Sequence, residues 1–133
     1  EACRAFPPPA PLKIMLLQHG YVAEDEADAQ QAATEFNRFY NYFGAWFKNE
    51  RPVTQGLIQP LTDEEIAANR YSSAEAMRTN LAIGTANDLI ARLKHYEALG
   101  YDEFALWIDS GMPFARKKAS LERFIHGVLP EFH

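Results

Sequence analysis

Leu81-Ala-Ile-Gly-Thr-Ala-Asn-Asp-Leu-Ile-Ala-Arg-Leu-Lys94, then Gly100-Tyr-Asp-Glu-Phe-Ala-Leu-Trp-Ile108, decides the fold class, because it reads as strand, helix, strand. Residues 81–83 are a brief apolar run that ends at Gly84. Thr85 and Asp88 have the spacing of a capping box, in which each side chain bonds the other's backbone N–H. Leu89, Ile90 and Leu93 then form one apolar helix face. Gly100 stands where a left-handed residue closes a helix. Residues 103–108 predict a second strand, and Asp109-Ser-Gly-Met-Pro113 predicts a turn. Pro113 suits the first turn of a following helix, patterned by Leu121, Phe124, Ile125, Val128 and Leu129 and stopped by Pro130.

Towards the N-terminus, Lys13-Ile-Met-Leu-Leu-Gln-His19 predicts a buried strand ending near Gly20. The acidic residues Asp25, Glu26 and Asp28 favour the positive end of a helix dipole, so a helix is expected over 24–47. Phe36, Phe39, Tyr40, Phe43 and Phe47 share one face of it and read as core. Tyr42 and Trp46 lie off that face and call for a second neighbour, such as a partner subunit. Residues 50–80 lose the periodicity, with Pro52, Gly56 and Pro60 as breakers and capping boxes at Thr62/Glu65 and Ser72/Glu75. A stretch of this kind reads as an insertion or lid. The prolines at 7, 8, 9 and 11 make residues 1–11 a stiff linker. The start at Glu1, without methionine, leads us to expect a piece of a longer protein.

The whole is read as a single α/β domain over 1–133: strand, helix, insertion, short strand, helix, strand, helix. Alternation of this kind implies parallel strands with right-handed crossovers. So few strands leave edges and a face uncovered, which points to part of a barrel. Apolar Met15, Leu17 and Trp107 would then face water, so self-association or a complex with a missing half is expected.

A chain of 133 residues, 47% hydrophobic and 23% charged, is the composition of a globular protein rather than a disordered or collagenous one. A net charge of −5 argues against nucleic-acid binding through phosphates. Cys3 is the only cysteine, which excludes an internal disulfide and a thiolate zinc cluster. His19, His95, His126 and His133 lack ligand spacing with carboxylates, so no metal is expected. No signal peptide or membrane span is legible, and a cytoplasmic location without membrane association is expected.

In parallel α/β folds the chemistry sits where strands end and helices begin. The first such corner carries Gln18, His19 and Tyr21; His19 either orients a ligand or satisfies a buried partner. The second, Gly84-Thr85, offers backbone N–H groups suited to an anion, or is simply a capped helix start. The third carries Asp109 and Ser110, either as ligand groups or as a turn.

Ile83-Gly84-Thr85, Asp88-Leu-Ile-Ala-Arg-Leu-Lys94, Gly100-Tyr-Asp-Glu-Phe104, Ala119-Ser-Leu-Glu-Arg-Phe-Ile125 and Val128-Leu-Pro-Glu-Phe132 together resemble the C-terminal end of the bacterial luciferase-like, flavin-dependent monooxygenases. Ala86 replaces that family's usual proline and Leu129 its usual methionine. The segment from Leu17 into the aromatic helix is also similar to the family. The resemblance implies the last three βα units of a (β/α)8 TIM barrel, with an insertion before the penultimate strand. It implies reduced FMN supplied by a partner flavin reductase, O2, and a small organic substrate that is oxygenated. His19 and Asp109 are then expected as catalytic groups, with Tyr40, Gly84, Thr85 and Ser110 on the cofactor. Residues 50–80 take the place of the family's mobile loop, with Arg51, Arg70 and Arg78 available to close on an anion. A non-catalytic flavin-binding or subunit-interaction module, inactive without the N-terminal part of the barrel, is the alternative. A deazaflavin-dependent reductase is a third possibility.

Overall fold

The computed structural model describes residues 12–132, so the linker expected over 1–11 and His133 lie outside the described residues. Strand β1, Met15–Val22, leads into helix α1, Glu26–Lys48. Asp25 caps α1 by accepting from the Asp28 N–H at 2.8 Å, and Asn49 ends it in the left-handed conformation. The insertion contains a hairpin, β2 (Val53–Thr54) and β3 (Leu57–Ile58), that the sequence reading left unassigned. Its turn residues Gln55 and Gly56 both have positive φ, the geometry that matches strand twist in a tight hairpin. Helix α2, Asp63–Ala68, carries the expected Thr62/Glu65 capping box. A single 3-10 turn, Arg70–Ser72, precedes helix α3, Ala74–Asn80. The cap of α3 is Ser73 and not the Ser72 expected, because Ser72 belongs to that 3-10 turn.

Strand β4, Ala82–Gly84, helix α4, Ala86–Ala98, and strand β5, Glu103–Trp107, follow as the sequence indicates. The Thr85/Asp88 box caps α4, and Gly100 just beyond it has φ 94°. Helix α5, Phe114–Arg123, starts after Pro113 and does not stop at Pro130. It widens into a π turn, Phe124–Val128, and tightens into a 3-10 turn, Leu129–Phe132. Proline lacks the N–H that a continuing α-helix needs, and the change of winding absorbs the lost bond.

The strands β1, β4 and β5 form one parallel sheet in the order β4-β1-β5. Gly20–Val22 pair with β4, while Met15–His19 pair with β5. This corrects one expectation, since in a barrel consecutive strands are neighbours and β4 would lie between the other two. Here β1, the longest strand, takes the centre and has partners on both sides. The step from β1 to β4 runs one way across the sheet and the step from β4 to β5 runs back. With right-handed crossovers this puts α1 and α4 on opposite faces. The packing agrees. Ala29, Ala32, Ala33 and Phe36 of α1 meet Tyr21, Ile83 and Met77 on one face, while Leu89 and Leu93 of α4 meet Val22, Ala82 and Val128 on the other.

The aromatic stripe of α1 is core only at its start. Phe36 is fully buried, whereas Phe43, Trp46 and Phe47 are exposed. A helix of 23 residues spans about 35 Å, longer than this small sheet can cover. Tyr42 finds its second neighbour within the chain: its hydroxyl accepts from the Leu61 N–H at 3.2 Å.

One buried polar link ties α5 to the sheet. Ser120 Oγ accepts from the Val22 N–H at 2.8 Å, with Ser120 and Val22 both buried. Ser120→Ala leaves that N–H unpaired and is expected to cost about 1–3 kcal/mol in urea unfolding. A cost near zero would mean that water replaces the hydroxyl.

Candidate functional site

Alternation along β1 puts Met15, Leu17, His19 and Tyr21 on the α1 face of the sheet. Only the C-terminal half of that row is covered by α1, so His19 is buried while Met15 and Leu17 are exposed. Asp109 stands two residues past the end of β5, and the pairing of His19 with Trp107 brings the end of β5 alongside the imidazole.

Both ring nitrogens of His19 are engaged. Nε2 lies 3.0 Å from the backbone carbonyl of Asp109, and Nδ1 lies 2.7 Å from the Tyr40 hydroxyl. A carbonyl only accepts, so Nε2 carries the hydrogen. Burial pushes the imidazole below its ordinary value of 6.5, against a smaller upward pull from the Asp109 carbonyl and carboxylate. At neutral pH the ring is therefore uncharged, Nδ1 has a free lone pair, and Tyr40 donates its hydroxyl hydrogen to it. Tyr40 itself is pushed above 10 by burial. Trp107 stacks on the imidazole at 4.0 Å and 17°, and Phe36, Phe39 and Tyr40 meet it edge-on. The arrangement can orient a hydroxyl and hold a turn. As a base His19 has one lone pair, and Tyr40 uses it.

This geometry has a pH consequence. The unfolded chain takes up a proton at His19 near pH 6.5, and the folded chain does so only at lower pH. The unfolded state thus binds more protons in that window, so stability falls as pH drops below 6.5. Urea unfolding at pH 7.5 and 5.5, with the His19 ring followed by NMR, is expected to show the loss together with an imidazole that titrates below its ordinary value. A His19 that titrates at its ordinary value would contradict it.

Of the expected site residues, His19, Tyr40 and Asp109 come together. Ser110, buried, continues the same turn into Gly111, which has φ 74°. The Asp109 carboxylate points outward to Lys117 Nζ at 3.0 Å, so its backbone rather than its acid touches His19. Gly84 and Thr85 lie at the end of β4, on the other edge of β1. There the Asp88 carboxylate already accepts from the Thr85 N–H at 2.8 Å and from Thr85 Oγ1 at 2.7 Å. A Cβ on Gly84 would lie 2.7 Å from Asp88 Cβ, so this glycine makes room for the cap. An anion at this corner would have to displace Asp88.

The three arginines of the insertion are engaged as well. Arg51 donates to Glu65 and to the carbonyls of Gln59 and Pro60, Arg78 pairs with Glu26, and Arg70 lies over Tyr71. The insertion is tied to α1 by the apolar packing of Met77 and by polar groups. Asn69 Nδ2 donates to Asn41 Oδ1 at 2.9 Å, and Asn37 donates to the Ser72 carbonyl.

Sequence reasoning missed an ionic cluster beside the site. Arg116 of α5 bridges Asp28 and Glu35 of α1 and lies over the Tyr21 ring. Tyr21 donates to Asp28 at 3.1 Å. Arg116 stands 88 and 81 residues from its two acids, and no local spacing signals so distant a pairing. Among the described residues no group of three His, Cys, Asp or Glu side chains could hold a metal, and no helix is long and apolar enough to cross a membrane.

A family model described as luciferase-like monooxygenase matches residues 1–103. The chain is also 62% identical over 132 residues to the "Flavin-dependent trigonelline monooxygenase, oxygenase component" of Acinetobacter baylyi (strain ATCC 33305 / BD413 / ADP1). That match takes in 99% of this chain and 37% of the relative, so the chain spans well under half the relative's length.

Proposed function

Because the chain belongs to the luciferase-like monooxygenase family, we propose that it forms part of a flavin-dependent monooxygenase that uses reduced FMN and O2 to oxygenate a small organic substrate. The observation that carries this reading is the 62% identity, along nearly the whole chain, to the oxygenase component of a trigonelline monooxygenase. A two-component enzyme has a separate flavin reductase, which we propose as the source of the reduced flavin in the cytoplasm. Trigonelline is an N-methylated pyridinium carboxylate, and we extend that substrate class to this protein. Within the whole protein the three βα units would take their sequential places as the closing part of a (β/α)8 barrel. Their present order, with β1 central, is then the arrangement of these strands without their neighbours.

The residues fit a flavin unevenly. The backbone and side-chain donors of Thr85 are committed to Asp88, so this corner does not favour a phosphate. Tyr40 and His19, which belong to one βα unit and meet edge-on, suit the edge of a flat ring. Reduced flavin, when bound, supplies the electrons that activate O2. The chain's own residues would orient and shelter. His19 fixes the Tyr40 hydroxyl, and the insertion over 50–80 would limit water at the site.

The exposed Met15, Leu17 and Trp107 favour a second reading, a subunit-interaction or flavin-binding module without catalysis. Titrating FMN with the purified chain separates the readings in part. Quenching of flavin fluorescence that Tyr40→Phe weakens supports a flavin site on this chain. No quenching would place the flavin wholly on the remainder of the enzyme.

A further inference from the structure

The sheet face opposite α1 carries an open aromatic groove. It lies between α4, β5 and the turns after α5, where Tyr96, Tyr101, Phe104, Phe124 and Phe132 line a cavity of about 420 Å³. Tyr96 and Phe104 stack with centroids 6.1 Å apart and 22° between their planes, and Tyr101 meets Tyr96 edge-on at 6.1 Å. These rings are only half-buried, although Tyr96, Phe104, Phe124 and Phe132 pack against the core of this face. A cluster of rings left partly open is an apolar patch of the kind that receives a partner. Apart from Leu16, every residue around the cavity lies between Leu93 and Phe132. The groove is thus built by consecutive elements and needs no particular strand beside β5.

The chain itself supplies a matching ligand. Phe6-Pro-Pro-Pro-Ala-Pro11 precedes Leu12, the first described residue. Ile14 is fastened at the rim of the groove: its N–H donates to the Asp102 carboxylate at 2.8 Å, and its carbonyl accepts from the Asp102 N–H at 2.9 Å. Asp102 is one of the residues around the cavity, so residues 6–11 join the fold beside it. Six residues in polyproline II form reach about 19 Å, the length of the 13-residue α4. A strand placed between β1 and β5 would shift this root by only about 5 Å, well within that reach. The chemistry matches as well. Aromatic-lined grooves bind polyproline II segments because the ring-locked backbone has little freedom left to lose. Proline also has no N–H that burial would leave unpaired.

We propose that this groove is the docking site of the chain's own segment Phe6–Pro11, which lies as a strap over Tyr96, Tyr101 and Phe104. The proposal does not rest on the monooxygenase reading. A short tether holds its ligand at an effective concentration in the millimolar range, so a contact too weak to hold a free peptide still holds this one. A proline-rich segment from a second molecule has to compete with it.

NMR of the intact 133-residue chain tests this. The expected result is a set of nuclear Overhauser contacts from the ring protons of Pro7, Pro8 and Pro9 to the rings of Tyr96 and Tyr101. Pro8→Gly combined with Pro9→Gly gives the segment back its backbone freedom and is expected to abolish those contacts. The amide signals of β1, α1 and α4 are expected to stay in place, since neither proline belongs to them. A synthetic peptide of residues 5–11 is then titrated into the parent and into the double variant. It is expected to bind the parent at least about tenfold more weakly, because there the tethered copy occupies the groove. Equal binding to the two proteins would overturn the proposal, and so would a parent without proline-to-tyrosine contacts. A mixture of isotope-labelled and unlabelled chains decides between the tethered segment and that of another molecule. Contacts seen only between differently labelled chains would assign the groove to a second copy and overturn the strap.

Discussion

Phe36→Ala is expected to lower the free energy of unfolding by about 3–5 kcal/mol, the cost of truncating a large buried side chain and leaving a cavity. Phe36 is 0% exposed and packs among Ala29, Ala32 and Ala33 of its own helix, Tyr21 of the sheet, and Met77 and Met112. The alanines are too short to fill the space, and the sheet beneath cannot move without breaking its pairing. The same ring meets the His19 imidazole edge-on at 5.8 Å. The variant should therefore show a second effect, an imidazole that titrates closer to 6.5 because water reaches it. Urea unfolding and NMR of the His19 ring measure the two together. A loss under about 1 kcal/mol would mean that the core re-forms around the cavity, contrary to the packing described.

Arg116→Ala is the other large effect. It leaves two partly buried carboxylates without their shared cation, and a cost of about 2–3 kcal/mol is expected, the low side of a broken buried pair because the cluster retains some solvent. Arg116→Lys should recover only part of it, since one ammonium cannot match the two prongs of a guanidinium. The pH dependence gives a sharper check. Burial works against the charged form of Asp28, yet the Glu24 N–H, Arg116 and Tyr21 outweigh it and hold the carboxyl below its usual 3.8. That contribution is present above the unfolded value and is lost as pH falls through the folded one. The gap between the parent and Arg116→Ala should accordingly be full at pH 7 and narrow towards pH 3. A gap that does not change with pH would assign the cost to packing on Tyr21 rather than to charge.

What the sequence revealed and what it hid divide along chain distance. The Thr85/Asp88 cap, the Gly100 turn and the start of α1 at its acidic residues are local patterns, and each stands where the sequence puts it. The order of the strands is not local. It depends on which edges compete for β1, and pairing of Met15–His19 with β5 joins segments at opposite ends of the chain. The site shows the same division. His19 and Asp109 were legible as candidates because they stand where strands end, and Tyr40 only through the family resemblance, since its helix face reads as core. Their roles were not, because a histidine on a strand reads the same whether its nitrogens are free or bonded. The part of Asp109 that meets His19 is its carbonyl, which every residue has, so no side-chain pattern marks it. The anion corner at Gly84-Thr85 failed to open for a related reason: the Asp88 that signals the helix start is also the group that fills it.

The account stands most directly on whether this chain can serve as part of an oxygenase. Exchanging it for the matching 132-residue stretch of the Acinetobacter relative, then supplying reduced FMN, O2 and trigonelline, tests that in an otherwise complete protein. The account predicts trigonelline-dependent O2 uptake coupled to an oxygenated product, within about tenfold of the parent, which corresponds to no more than about 1.4 kcal/mol of lost transition-state stabilisation. A hybrid that folds and binds flavin like the parent, yet consumes no O2 in response to trigonelline, would contradict it.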